Sequence, residues 1–372
     1  MKARRALLAG LLLVVGLSAA PVRPVAPVTA AALPARLSDQ HFWGLIASFS
    51  EPGGTFHSDN FVSNEGRFQF VLPDLAGRAR PGGLYVGVGP EQNFSYIVAV
   101  RPRMAFIIDI RRGNLREHLL YKALMEISSS RAEFLSRLFS RDRPSGLDAT
   151  STVEDLFAAY RAVPPTESNY RRNLAAVVDW LTRARRLPLS DEDVGGIDFI
   201  FRSAFFAEGP DLGYRRTEQG PTSQHPTYAE LMSMEDGEGR QRSYLATESN
   251  FLFVKDLHSR NLIVPVVGDF GGPRTLPAIA RYARDARTIV SAFYLSNVEQ
   301  YLVKDGKWAT FCATVASMPL DASSTFIRSR VGGRGLARPL PRGGIGMFWS
   351  GLGAMELETR MCDSPFATAF PR

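Results

Sequence analysis

Between Leu84 and Ile110 the chain runs an apolar β-former stretch (Leu84-Tyr85-Val86-Gly87-Val88) into a turn (Gly89-Pro90). A helix-compatible stretch then leads back to a second apolar run, Met104-Ala105-Phe106-Ile107-Ile108, which ends on Asp109. Strand, glycine turn, helix and strand in about this length make a βαβ unit, and such a unit commits the chain to an α/β architecture. Gly87 and Gly89 open backbone conformations closed to other residues and let a ligand approach the main chain. Pro90 suits a first helical turn, where its missing N–H costs nothing. Asp109 stands 22 positions after Gly87, close to the spacing of an acid that receives ribose hydroxyls at the tip of a second strand.

The dinucleotide fingerprint also asks for a third glycine, three positions after Gly89, where this chain has Gln92. That departure favours a nucleoside ligand such as S-adenosylmethionine over a pyrophosphate. The competing reading is a Rossmann turn that uses its glycines only to turn.

The 372 residues suffice for one large α/β domain with insertions or for two domains. Lys2, Arg4 and Arg5 precede an apolar stretch, Ala6 to Ala20, and Ala30-Ala31-Ala32 offers small residues for cleavage, so residues 1–32 read as an export signal. Arg4-Arg5 loosely resembles a twin-arginine signal. Export to the periplasm is expected, with anchoring by an uncleaved segment as the alternative and no span in the mature chain. Of the formal charge of +7, residues 1–32 supply four positive charges and no negative one, leaving +3. Nucleic-acid binding thereby loses its simplest argument. Cys312 and Cys362 leave one disulfide open without establishing it, and oligomeric state is not legible.

Periodicity divides the remainder into a first Rossmann half with an N-terminal extension (33–130), a helical insertion (131–261) and a second half (262–372). The extension holds a helix from Leu37 to Ser50 and a polar loop, Phe56 to Glu65, read either as a capped surface loop or as a flap that brings Asp59, Asn64 or Glu65 to the site. A helix from Leu115 to Ile127 starts beside Asp109, which makes His118, Tyr121 and Lys122 candidates to face the cleft. The insertion reads as helices at 131–141, 153–161, 169–186 and 191–206, with Arg183, Arg185 and Arg186 as a solvated cluster, followed by a turn-rich stretch at 209–242. The second half offers strands at 262–269, 288–295 and 324–327, a helix at 274–285, a Gly/Arg-rich loop at 328–344 and a hairpin region beyond Met347. Asp269, Ser296 and Asn297 fall at strand C-terminal ends, the edge where open parallel sheets bind ligands. Hydrolase-elbow, P-loop and zincin signatures do not occur, and the five histidines show no metal-ligand spacing.

The blocks "VGVGPEQNFSYI", "AFIIDIRRGNLREHLLYKAL", "NLIVPVVGDFGGP", "FYLSNVEQYL" and "PLDASSTFIRS" resemble an uncharacterised bacterial family with an S-adenosylmethionine-methyltransferase-like Rossmann fold, over about His41 to Arg330. The resemblance implies a methyltransferase-type sheet carrying a large inserted helical subdomain. It implies that Gly87, Gly89, Glu91, Asn93 and Tyr96 line the cofactor turn, that Asp109 meets ribose, and that Asp269 stands where methyltransferases often place the methyl acceptor. The acidic residue usual just before the first glycine is absent, with Tyr85-Val86 in its place.

Two functions follow as expectations. One is methyl transfer from S-adenosylmethionine to an unknown acceptor, with Asp269 or Glu65 as base and Asn64, His118 and Asn297 on the substrate side. The other is a non-catalytic exported protein that binds a small nucleoside-like ligand or serves as a scaffold. Mass spectrometry of the native protein is expected to find residues 1–32 missing, and Arg4-Arg5 changed to Lys-Lys to block export by the twin-arginine route. An intact N-terminus on cytoplasmic protein would overturn the export reading.

Overall fold

The computed structural model describes residues 32–59, 61–216, 220–221, 225–331, 348–360 and 362. Residues 1–31, which carry the expected export signal, and 332–347 of the Gly/Arg-rich loop lie outside these.

Six strands make the central sheet: β1 (Leu84–Val88), β2 (Met104–Asp109), β3 (Ile263–Val267), β4 (Val290–Ser296), β5 (Thr325–Val331) and β6 (Phe348–Ala354). Their order is β3-β2-β1-β4-β5-β6. The first five run parallel, and β6 returns antiparallel along β5 from Thr325↔Ala354 to Val331↔Phe348. β2 and β3 are buried throughout, which is why they read as unbroken apolar runs rather than alternating ones. The strand beyond Met347 pairs antiparallel with β5, where its backbone donors and acceptors are satisfied, and among the described residues no further strand follows it. The chain thus has a generic Rossmann-like α/β fold with a large helical insertion.

The order reverses between β1 and β4. After β1 the chain moves outward to β2 and β3, then crosses back to β4 on the other side, opening a crevice beyond the strand ends. Four helices belong to this first half: α1 (Asp39–Phe49), α2 (Leu72–Arg78), α3 (Gln92–Val100) and α4 (Arg112–Glu126). Ser38 caps α1 by accepting from the His41 N–H. Phe49 of α1 stacks on Phe106 of β2, with ring centroids 5.6 Å apart.

Between α4 and β3 lies the insertion, with α5 (Arg131–Leu138), α6 (Val153–Arg161), α7 (Glu167–Asp179), α8 (Asp191–Ile200), α9 (Tyr228–Ser233) and α10 (Glu248–Ser259). The expected long helices at 169–186 and 191–206 do begin as α7 and α8, but each ends in a widened π-type turn, Trp180–Ala184 and Phe201–Phe206. The stretch read as turn-rich contains α9, announced by the capping box of Thr227 and Glu230. Phe94 of α3 meets the rings of His118 and Tyr121 on α4, Tyr244, and His258 on α10, each edge-on at 5.3–5.5 Å. The insertion is therefore docked on the α3 and α4 layer through a shared aromatic contact.

Arg185 corrects one expectation. It is not solvated: it donates to Glu126 at 2.6 and 2.8 Å and pairs with Asp39, because the buried Glu126 also serves Lys122 and needs a second cation. Lys122 in turn donates to the His258 carbonyl and Asn261, so it braces the insertion and does not face the cleft.

The second half adds α11 (Thr275–Asp285), α12 (Val298–Lys304), α13 (Trp308–Ala316) and α14 (Met355–Arg360). A disulfide between Cys312 of α13 and Cys362, just past α14, ties the chain's last described segment to the second half. Closing a loop across a separation of 50 residues restricts the unfolded chain. Cys312→Ser with Cys362→Ser is expected to lower the unfolding free energy by about 2–4 kcal/mol in urea titration. An unchanged midpoint would show that the cross-link adds nothing to folding.

Candidate functional site

A cavity of about 560 Å³ opens at the sheet's switch point, a size suited to a small-molecule site. Its floor is Val88-Gly89-Pro90 after β1. Asp109 and Arg111 form one wall after β2, and Gly268-Asp269-Phe270 follow after β3. Tyr294, Ser296 and Asn297 contribute from β4, Tyr301 from α12, and Phe56, His57, Ser63 and Asn64 from the loop expected to fold over the turn. Phe56 packs edge-on against Tyr301 at 5.3 Å, so loop and α12 meet in an aromatic rim.

The two turn glycines do different work. Gly89 has φ +77°, a left-handed backbone, and nothing stands within 4 Å of where a Cβ would lie, so the space above it is open. At Gly87 a Cβ would lie 1.9 Å from Asn93 Oδ1 and 2.8 Å from the Tyr85 ring. Its missing side chain admits protein, and Gly87 is not on the cavity wall. Asn93 is the brace that needs this room. Its amide donates to the carbonyls of Val88, Gly89 and Pro90 at 2.7–3.2 Å, and its oxygen accepts from the Tyr85 hydroxyl. His118, buried below the turn, donates from Nε2 to the Gly89 carbonyl at 2.9 Å. Burial pushes its imidazole down to about 4, against the Gly89 carbonyl and Asp109, so it stays neutral. His118 and Asn93 fix the turn from behind and do not reach the cavity.

Glu65 is buried under the loop and off the cavity wall. Oε1 accepts from the Tyr294 and Ser296 hydroxyls at 2.7 and 2.8 Å, and Oε2 from Ser350 at 2.6 Å and Gln92 at 3.4 Å. Tyr96 completes this network, accepting from Gln92 and sharing a hydrogen bond with Ser350. Ser296 is held with φ +50° at the end of β4, a costly backbone state for serine. Its bond to Glu65 helps fix it there.

Asp109 is only 6% exposed and has a partner that the sequence reading did not name. Arg111 donates Nε to Oδ1 at 3.0 Å and Nη2 to Oδ2 at 2.9 Å, and its backbone N–H adds a third bond at 2.8 Å. Burial opposes the Arg111 cation, but Asp109, Glu117 and Asp59 together raise its pKa. Asp109 therefore has a structural role, which its ribose-like spacing from Gly87 did not indicate. The signal was present in the sequence as an arginine two residues past the acid.

Asp269 lines the cavity beside Asp109, two residues past Val267, which pairs with Asp109 in the sheet. Oδ1 accepts from the Gly271 N–H at 2.8 Å and Oδ2 from Lys307 Nζ at 2.5 Å. Glu51, also missed, accepts from the N–H groups of Arg274 and Thr275 at 2.8 and 2.9 Å and so holds the start of α11 beside it. Among the described residues, no group of three or more His, Cys, Asp or Glu could hold a metal ion.

Glu91 and Glu117 are the electrostatic oddity of the site. Both are buried behind the turn, and neither carboxyl has a partner at full hydrogen-bonding geometry. Burial pushes Glu91 up to about 8, although the backbone amides of Glu91 and Ser63 lie close enough to lower it. Glu117 is pushed well up, by burial first and then by Glu91, with Arg111 opposing. A carboxyl whose folded pKa lies above its unfolded value stabilises below the unfolded pKa and loses that contribution as pH rises through the folded one. Wild type is thus expected to lose stability relative to Glu91→Gln as pH rises from about 4.5 to about 8. Urea midpoints at both ends of the window measure it, and parallel behaviour of the two proteins would refute the desolvated Glu91.

No curated protein matches the chain significantly. A family model described as a domain of unknown function, DUF7790, matches residues 60–193 and 214–342. The two matched segments span β1 through β5, the turn, the cavity residues that follow the strands and most of the insertion, and leave a gap within the helical insertion. The chain belongs to the DUF7790 family.

Proposed function

We propose that the switch-point cavity binds a nucleoside-bearing small molecule, that this ligand is S-adenosylmethionine, and that the chain is a methyltransferase of a small acceptor. The observation that carries the reading is the pairing of an open left-handed glycine, Gly89, with a buried acid, Asp109, across one cavity at the strand-order reversal. The residues fit such a ligand. Asp109 Oδ2 accepts a single bond from Arg111 and keeps a lone pair for a ribose hydroxyl, and Phe56 and Tyr301 present aromatic edges at the rim. A sheet of order β3-β2-β1-β4-β5 with an antiparallel edge strand is compatible with a methyltransferase-type core.

Bound S-adenosylmethionine would supply an electrophilic methyl group. The chain's part is to hold an acceptor in line with it and to exclude water, which is where most of the acceleration in such a displacement arises. Asp269, Asn64 and Asn297 all line the cavity; in this reading Asp269 stands on the acceptor side and the two amides orient the acceptor. Glu65 acts in this reading as a positioning residue that sets Tyr294 and Ser296. The export signal expected at residues 1–32 and the disulfide together favour an oxidising compartment outside the cytoplasm.

One observation favours a second reading, a non-catalytic binding protein. Both carboxylates suited to take a proton are engaged internally, Glu65 by four donors and Asp269 by Lys307.

Calorimetric titration of the mature protein with S-adenosylmethionine and with NAD separates these cases. S-adenosylmethionine is expected to bind in preference to NAD, and Asp109→Asn to weaken it by roughly tenfold, the equivalent of about 1.4 kcal/mol. Asp109→Ala is expected in addition to cost on the order of 3 kcal/mol of stability by stranding Arg111. Absence of binding to wild type rejects the pocket, and NAD preference rejects methyl transfer. Binding without turnover of any acceptor favours the second reading.

A further inference from the structure

The segment made of β6 and α14 is tied to two sides of the cavity. On one side Ser350 of β6 donates to Glu65 Oε2 at 2.6 Å and shares a hydrogen bond of 2.7 Å with Tyr96. Glu65 follows Ser63 and Asn64, which line the cavity, and β6 also packs on the short 3-10 turn Phe68–Val71 that comes next. On the other side Arg328 of β5 joins α14 to α12. Its guanidinium pairs with Glu358 at 2.6 Å and with Glu299 at 2.7 Å, and Glu299 stands between the cavity residues Val298 and Tyr301. The Arg328 side chain is only 6% exposed, so neither carboxylate leaves without weakening the compensation of a buried charge. Gly353 of β6 gives this pairing its room, because a Cβ there would collide with Glu358 Oε1.

The disulfide fastens the end of this segment to α13, and α13 belongs to the frame of the cavity. Cys312 is buried and follows Phe311, whose ring lies 6.5 Å from that of the cavity residue Phe270. Lys307, at the N-cap of the same helix, donates to Asp269 on the cavity wall. Cys362 stands two residues past α14 and is only partly buried. The β6–α14 segment thus connects the loop at 55–65 with α12 and α13, and its end is held by a bond that a thiol can cut.

We propose that the Cys312–Cys362 bond is a redox switch on the cavity: oxidised, it clamps α14 to α13 and keeps the loop seated through Ser350 and Glu65; reduced, it lets loop and α12 open. Opening of this kind is local, confined to the elements that the segment ties, and leaves the parallel core closed. The reductant is a dithiol. One of its thiolates attacks Sγ of Cys362, the less buried residue, forming a mixed disulfide and expelling Cys312 as a thiolate that takes up a proton. The second thiol of the reductant then displaces Cys362 as a thiol, and the reductant leaves as its own disulfide. Two electrons and two protons pass to the protein, and a small-molecule disulfide reverses the exchange. The switch acts on the cavity whatever its ligand, so it stands apart from the nucleoside reading.

Hydrogen exchange read by mass spectrometry tests this on oxidised wild type, on wild type reduced with dithiothreitol, and on the Cys312→Ser, Cys362→Ser double variant, with thiol alkylation reporting the state of the pair. In the reduced protein and the variant, amides at 55–65 and 348–360 are expected to exchange at least tenfold faster, while those of β1, β2 and β3 keep their rates. Oxidised glutathione is expected to restore the slow exchange of the reduced wild type. Unchanged rates at 55–65 overturn the switch. Equal acceleration in β1 to β3 also overturns it, since that marks a general loss of stability, and so does a disulfide that survives dithiothreitol in the folded protein. If the double variant does not fold, the reduced wild type decides. In Ser350→Ala the loop is expected to exchange fast already when oxidised, with nothing added by reduction; further acceleration there overturns Ser350 as the link. Calorimetric titration with S-adenosylmethionine is expected to show at least tenfold weaker binding to the reduced protein, and equal affinities overturn the effect on the cavity. Binding to neither form rejects the nucleoside reading, and the exchange rates then decide the switch.

Discussion

The Glu65 carboxylate is the interaction on which the site depends. It is a buried charge, which is tolerated only when its lone pairs are met, and its four donors come from three separate elements: Tyr294 and Ser296 on β4, Ser350 on β6 and Gln92 on α3. These elements are far apart in sequence and meet at one residue of an irregular loop. The loop is thereby pinned over the sheet's strand ends, which lets Phe56, His57, Ser63 and Asn64 form a wall. Loss of the carboxylate would release the loop and would also free Ser296 from its left-handed backbone.

Much of the fold was legible because the signals are local. Apolar runs mark β1 to β4, and a glycine turn and an acid at the expected spacing mark the βαβ unit. Capping residues also place helix starts such as Val153 and Asp191. What was not legible depends on contacts between distant segments. Arg185 looks like a surface charge in a basic cluster until Glu126 is brought to it from α4. The pairing of Cys312 with Cys362, and of β6 with β5, likewise needs the tertiary arrangement.

The site shows the same division. Gly89, Asp109 and Asp269 fall where strand-end reasoning puts them, because the edge of a parallel sheet is set by topology. The polar loop suggests Glu65 as a base, the helix start beside Asp109 suggests His118 on the substrate side, and the family resemblance implies Asn93 and Tyr96 as lining the turn. They lie one layer below it, as the residues that hold the turn, and spacing along the chain does not distinguish a residue that touches a ligand from one that supports the residue that does. Burial decides that, and burial of a polar side chain bonded inside the protein is a property of the packed molecule.

The position of β6 has a consequence for how the protein comes to be made. Ser350, on β6, supplies one of the four donors to Glu65, and the cross-link to Cys362 closes just beyond it. A nascent chain that has emerged through β5 already holds the glycine turn, both acids and the loop, yet it lacks the partner that seats the loop. Contacts of this sequence separation form late, after the local ones. The cavity therefore assembles only once β6 has been made, so a product truncated before β6 carries most of the cavity's wall residues without the contact that seats the loop.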